Sequence, residues 1–181
     1  EEAHITGVVT GSRLDRFGNL RNEDVDFYDA KAYVVRLFER LSVTASFSAV
    51  EAYGLLSGRT AQIDVAGAPV GIVGQVHPGT AQTFGLAQDV YLFEIRIADL
   101  LPHVPPVVTM RAVSKYPAMV EDLAVVVDRD VAAAAVLAEI EAHPLVVRAR
   151  VFDEYLGSQV PDGRKSLAIS VEYQALDRTL T

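Results

Sequence analysis

Cysteine is absent from the 181 residues, which removes disulfides, thiolate metal ligands and cysteine nucleophiles together and fits a reducing cytosol. Half of the residues are hydrophobic, yet no apolar run approaches the roughly 20 residues a membrane-crossing helix needs. A basic excess is lacking too. Sixteen basic side chains face 24 acidic ones, for a net charge of −8, so a non-specific nucleic-acid binder is not expected. Neither a G-x-G-x-x-G fingerprint nor a phosphate loop occurs. Gly54-Leu55-Leu56-Ser57-Gly58-Arg59 has glycine spacing without the Gly-Lys-Ser/Thr ending, and reads as a turn. His4, His77, His103 and His143 are scattered without paired spacing, which argues against zinc. His77 and His143 each precede a proline and read as helix-boundary residues. Glu121 and Asp122 enter a strand, where neighbours point to opposite faces, so they do not make an acid–base pair. Asp24, Asp26 and Asp29 are explained by helix capping rather than by a cation. No nucleophile, base and orienting group assemble, so no catalytic site is expected in this chain.

What is present suits an α+β protein with mainly antiparallel sheets. The clearest break runs from Leu101 to Pro117, where Pro102, Pro105, Pro106 and Pro117 remove backbone donors and favour extended structure. It predicts two units, 1–108 and 109–181, of which neither is basic. In the first, His4 to Val9 reads as a strand, and Asp26 caps a helix whose Phe27, Ala30, Val34, Leu37 and Leu41 recur at helical spacing. Gln62 to Val65 and Val70 to Val76 flank a turn, Pro78 starts a short helix ending near Gly85, and Val90 to Ile97 alternates as a strand. In the second, Leu123 to Val127 reads as a continuous apolar strand, and Asp130 caps a helix to about Ala142. Val146 to Leu156 and Lys165 to Tyr173 are strands around a turn at Val160-Pro161-Asp162-Gly163. The order strand, helix, strand, strand is that of a ferredoxin-like fold short of its last helix and strand. Both ends read as cut from something longer.

One surface suits a ligand. With Phe152 and Leu156 pointing into the core, Asp153 and Tyr155 project from the other sheet face. Ser166, Ala168, Ser170 and Glu172 form the outward set of the last strand. An exposed ring, a carboxylate acceptor and a hydroxyl on an open sheet suit one unpaired base, stacked on Tyr155 and bonded at its edge to Asp153 and Ser166. Arg148, Arg150, Arg164 and Lys165 would supply local phosphate contacts. From pattern alone, the plainer reading of a half-exposed tyrosine on a solvated face outweighs this one.

Resemblance shifts that balance. Lys115-Tyr116-Pro117-Ala118-Met119-Val120-Glu121-Asp122-Leu123-Ala124-Val125-Val126-Val127, Val151-Phe152-Asp153-Glu154-Tyr155, Pro161-Asp162-Gly163-Arg164-Lys165-Ser166-Leu167-Ala168 and Arg178-Thr179-Leu180-Thr181 follow one another in order. Together they resemble the ferredoxin-fold anticodon-binding domain that closes the phenylalanyl-tRNA synthetase beta subunit. His4-Ile5-Thr6-Gly7-Val8-Val9-Thr10-Gly11, Asp26-Phe27-Tyr28-Asp29-Ala30-Lys31 and Val76-His77-Pro78 through Tyr91-Leu92-Phe93-Glu94 resemble the preceding class-II-synthetase-like part of that subunit. The resemblance implies a non-catalytic segment that helps hold a heterotetramer with the catalytic alpha subunit and approaches the anticodon of phenylalanine tRNA in the cytoplasm. It implies Asp153, Tyr155 and Ser166 as base contacts. It implies no cofactor in this chain, while the assembled ligase uses ATP and magnesium. Glu154, in the middle of F-D-x-Y, would add negative charge near the RNA. The alternative is a protein-interaction module with the same folds, serving subunit assembly without RNA recognition.

Overall fold

The computed structural model describes residues 2–13, 23–107, 113–157 and 159–180. The chain divides into two units, Glu1–Thr109 and Met110–Thr181. The expected boundary at Val108 lies outside the described residues.

The first unit runs β1 (His4–Thr10), α1 (Phe27–Arg40), β2 (Ala45–Ala49), β3 (Leu55–Val65), β4 (Ala68–Val76), α2 (Pro78–Thr83), β5 (Val90–Arg96) and α3 (Ile97–Leu100), then one 3-10 turn, Leu101–His103. Its strands form an antiparallel sheet in the order β1-β5-β4-β3-β2. Helix α1 starts where its capping chemistry says it should. The Asp26 side chain accepts from the N–H groups of Tyr28 and Asp29, and the Asp29 carboxylate accepts from the N–H of Asp26 in return. Arg13, beyond the end of β1, reaches Asp26, Asp29 and Glu23 with one guanidinium and ties the strand to the helix start. The buried stripe of α1 is Ala30, Val34 and Phe38, packed on Ile63, Val73, Tyr91 and Ile95 of the sheet. His77 caps α2, its Nδ1 accepting from the N–H of Gly79 at 3.1 Å.

The second unit runs β6 (Met119–Asp128), α4 (Ala133–Glu141), β7 (Val146–Tyr155) and β8 (Arg164–Tyr173), with antiparallel strands in the order β6-β8-β7. Leu167, Ile169 and Val171 of central β8 are fully buried beneath α4, which contributes Val136, Leu137 and Ile140. One expectation is corrected and another narrowed. Asp130 does not cap the helix: Val131 donates to the carbonyl of Asp128 at 3.1 Å, a turn absorbs Asp130, and α4 begins after Ala132 without a side-chain cap. The continuous apolar run from Leu123 to Val127 does lie in β6, but only one of its faces is shielded: from Leu123 on the residues alternate between half-buried and exposed, and Val126 is 45% exposed.

The proline-rich stretch is less of a linker than its composition implies. Leu100 is buried and Val104 packs on the first core. The Ser114 hydroxyl donates to the carbonyl of Ala175 at 2.9 Å, and the Gln174 amide donates to the carbonyl of Tyr116 at 2.7 Å, so that end belongs to the second unit. Among the described residues no helix is long and apolar enough to cross a membrane.

Candidate nucleic-acid interface

Directly opposed residues of antiparallel strands share a face, so the register of the second sheet decides what each face carries. Four rows cross it. Tyr155 lies opposite Ser166, and Ser166 opposite Val126; the next row is Asp153, Ala168 and Ala124. Then come Arg150, Ser170 and Asp122, and finally Arg148, Glu172 and Val120. Because Leu167, Ile169 and Val171 point to α4, all four rows belong to the opposite face, which no other described element of the second unit covers. Small side chains occupy its middle, with a ring at one end and two guanidinium groups at the other.

That arrangement depends on an irregularity. In strict alternation Arg148 and Arg150 share a face with Phe152 and Glu154, which sends Asp153 and Tyr155 to the helix side. The register instead shifts between Val151, opposite Ile169, and Asp153, opposite Ala168, leaving Phe152 as an extra residue. The expected inward placement of Phe152 and Leu156 is therefore wrong: they are 51% and 50% exposed. The bulge, not burial of those side chains, brings Asp153 and Tyr155 onto one face with the two arginines.

The ring end is shaped by a close approach. Tyr155 is 42% exposed, and its ring lies back over Gly157, where a β-carbon would overlap the phenol. Asp153 is exposed, Ser166 half-buried, and neither Asp153 nor either arginine has an ion-pair partner among the described residues. At the other end Val120, Arg148, Arg150, Ser170 and Glu172 surround a hollow of about 270 Å³.

The structure does not bring Lys165 and Arg164 into this group as free cations. Lys165 lies on the helix side with Leu167, is only 9% exposed, and holds its Nζ 3.7 Å from Glu154 Oε2. Glu154, opposite Leu167, is likewise turned from the platform, which corrects the expectation that its charge would sit near a ligand. Arg164 sits at the sheet's end with Nε 3.3 Å from Asp128 Oδ1. Sequence reasoning missed Gly157 and the outward residues of β6, Val120, Ala124 and Val126. Reading Leu123 to Val127 as a strand with one outward face, rather than only as a continuous apolar run, would have found the latter. Among the described residues no cluster of metal-ligating side chains forms.

Comparison with known proteins follows the same division. Residues 1–97 match the family described as phenylalanyl tRNA synthetase beta chain CLM domain, and residues 114–181 match the ferredoxin-fold anticodon binding domain. The whole chain is 35% identical to the phenylalanine–tRNA ligase beta subunit of Geobacillus kaustophilus, of which it covers 23%. It is 33% identical over 99% of its length to that of Dehalococcoides mccartyi and 34% identical over 99% to that of Vibrio cholerae, covering 22% and 23% of them. The chain thus spans less than a quarter of the length of these relatives.

Proposed function

Because this chain belongs to the phenylalanyl tRNA synthetase beta chain family and carries a ferredoxin-fold anticodon-binding unit, we propose that it is a non-catalytic structural and tRNA-binding segment of a phenylalanine–tRNA ligase, working in the cytoplasm. The first unit serves assembly with a catalytic alpha subunit in a heterotetramer, and the second meets the anticodon of phenylalanine tRNA. ATP and magnesium serve the ligase at the alpha subunit, and this chain needs neither. The observation that carries the reading is the sheet face of the second unit, opposite α4, on which Asp153, Tyr155 and Ser166 share one end.

Each group has a task that follows from its place. The Tyr155 ring offers a stacking surface to one unpaired base, a contact of about 1–3 kcal/mol. Asp153 accepts from an amino or imino edge, and the Ser166 hydroxyl donates or accepts. Ala124 and Ala168 leave room for the base to lie flat. Arg150 and Arg148, two and three rows from Tyr155, suit the backbone phosphates of neighbouring nucleotides, which position the RNA without reading it. A chain of net charge −8 would gain little general attraction for RNA, so binding should rest on these local contacts.

The test is a binding titration of the chain with the anticodon stem-loop of phenylalanine tRNA, at fixed salt, against the same loop with one anticodon base removed. Tighter binding of the intact loop, with the difference abolished by Tyr155→Ala, is the expected result. Equal binding of both loops would leave the protein-assembly role alone standing.

A further inference from the structure

In the first unit, apart from the platform, a hollow of about 550 Å³ opens between the start of α1 and strands β2 and β3. Phe27, Tyr28, Lys31, Phe47 and Arg59 line it together with Asp26. The Asp26 carboxylate is engaged at its own end: one oxygen accepts from the N–H groups of Tyr28 and Asp29, the other from Arg13 at 2.9 Å, a guanidinium it shares with Asp29 and Glu23. The two cations have no such compensation. Lys31 holds its Nζ 4.4 Å from the Phe47 ring centroid and has no ion-pair partner among the described residues. Burial of its side chain pushes its pKa below the usual lysine range. A cation–π contact offsets only part of the cost of desolvating an ammonium group.

Arg59 is placed by backbone irregularity. The β3–β4 register shifts between Leu55 and Thr60, and Gly58 within that stretch adopts φ 74°, which a side chain would resist. Arg59 then donates through Nη1 to Oε1 of Gln75 at 2.9 Å, and Gln75 is 3% exposed. A buried amide thus fixes the guanidinium while leaving donors of its five free for something else. No carboxylate pairs with Arg59 among the described residues.

We propose that this hollow binds a small organic anion, a carboxylate or phosphate ester attached to a flat apolar body. Arg59 and Lys31 hold the head group, and the rings of Phe27 and Tyr28, edge to face at 5.6 Å, flank the body. The volume lies within the 300–1,000 Å³ typical of small-molecule sites, well above what a bare inorganic ion fills. An anion there gives Lys31 and Arg59 the direct partner that no carboxylate among the described residues provides.

The test is a titration of the isotope-labelled chain, followed by amide NMR, with phenyl phosphate, phenylacetate and inorganic phosphate. Shifts should concentrate at Phe27 to Lys31, Phe47 to Ala49 and Gly58 to Ala61. The better phenyl compound should bind at least about tenfold more tightly than inorganic phosphate, and whichever of the two wins identifies the head group. Arg59→Gln should weaken it about tenfold or more. Lys31→Met, which keeps the stem but removes the buried charge, should weaken it comparably without lowering thermal stability. This second variant decides the matter if Arg59→Gln disturbs the fold through Gln75. Shifts spread over Arg148 and Arg150, no gain from the phenyl group, or undiminished affinity in Lys31→Met would each overturn the proposal.

Discussion

The two units solve the burial problem on different scales. In the first, twelve of the described side chains are buried in one cluster with α1 and a five-stranded sheet, and the fourteen-residue helix has a reciprocal cap reinforced by Arg13. In the second, four of the described side chains are buried between three strands and a nine-residue helix that has no side-chain cap. In both units one helix covers one sheet face, and the difference in core size follows from the number of strands and the length of that helix. Each residue under α4 therefore carries a larger share of its unit's stability than any one residue beneath α1.

That contrast can be broken by core truncation, where the largest effects are expected. Phe38→Ala should cost the first unit about 3–5 kcal/mol and Leu167→Ala the second about 2–5 kcal/mol. Read by hydrogen exchange resolved along the chain, Leu167→Ala should abolish protection of β6, β7 and β8 while β3 to β5 stay protected. Phe38→Ala should loosen only the first unit. Loss of protection in both units from either change would show that they do not fold separately.

Next in size is the platform. Tyr155→Ala should weaken anticodon-loop binding by about 1–3 kcal/mol with exchange protection of the second unit unchanged. Gly157→Ala should weaken it in the same direction by displacing the ring. Parallel loss of protection would turn the ring into a core element and erase the contrast.

A smaller effect concerns the helix start. Partial burial pushes the Asp29 carboxyl upward, but the N–H of Asp26 and the guanidinium of Arg13 outweigh that and hold it below the ordinary value of 3.8. A carboxylate with a lowered folded pKa stabilises above its unfolded value and loses that contribution as pH falls through the folded one. Stability of the first unit should therefore drop as pH falls below about 4, and Asp29→Asn should flatten that dependence while costing about 0.5–2 kcal/mol at neutral pH. Urea titrations at several pH values check it. An unflattened profile would place the acid sensitivity elsewhere.

Smallest are the arginines of the platform. Arg148→Gln and Arg150→Gln should each lower the slope of log affinity against log salt by about 0.7, the increment for one phosphate contact to a single strand. Binding to intact and abasic loops should fall equally. A change in base preference instead would move these side chains from positioning to reading.

Much of this was legible in the sequence. Asp26 and the spacing of Ala30 and Val34 announced α1, and the alternation of Leu167, Ile169 and Val171 announced β8, because capping and periodicity are local. Strand β2 was missed because Ala45-Ser46-Phe47-Ser48-Ala49 has one large apolar residue in five. Asp130 misled because turn and cap compete for the same side chain. At the site, Asp153, Tyr155 and Ser166 were named correctly as sharing one face, but on a false premise about Phe152. A bulge depends on which residue the partner strand presents, which no local pattern encodes. Lys165 was misassigned for the same reason: its pairing with Glu154 across strands appears only once register is known.

The extra residue at Phe152 also divides β7, from Arg148 onward, into two reading phases. Between Arg148 and Val151 the even-numbered side chains face outward, and downstream of Phe152 the odd-numbered ones do. Deleting Phe152 would join the phases smoothly, Val151 inward and Asp153 outward, and leave the platform facing as it does. Inserting a residue between Asp153 and Tyr155 would turn the ring beneath the helix. Variation in length at this point is thus asymmetric: the strand can lose one residue here without reversing the face, but a gain just beyond it would rewrite the surface even though no existing amino acid had changed.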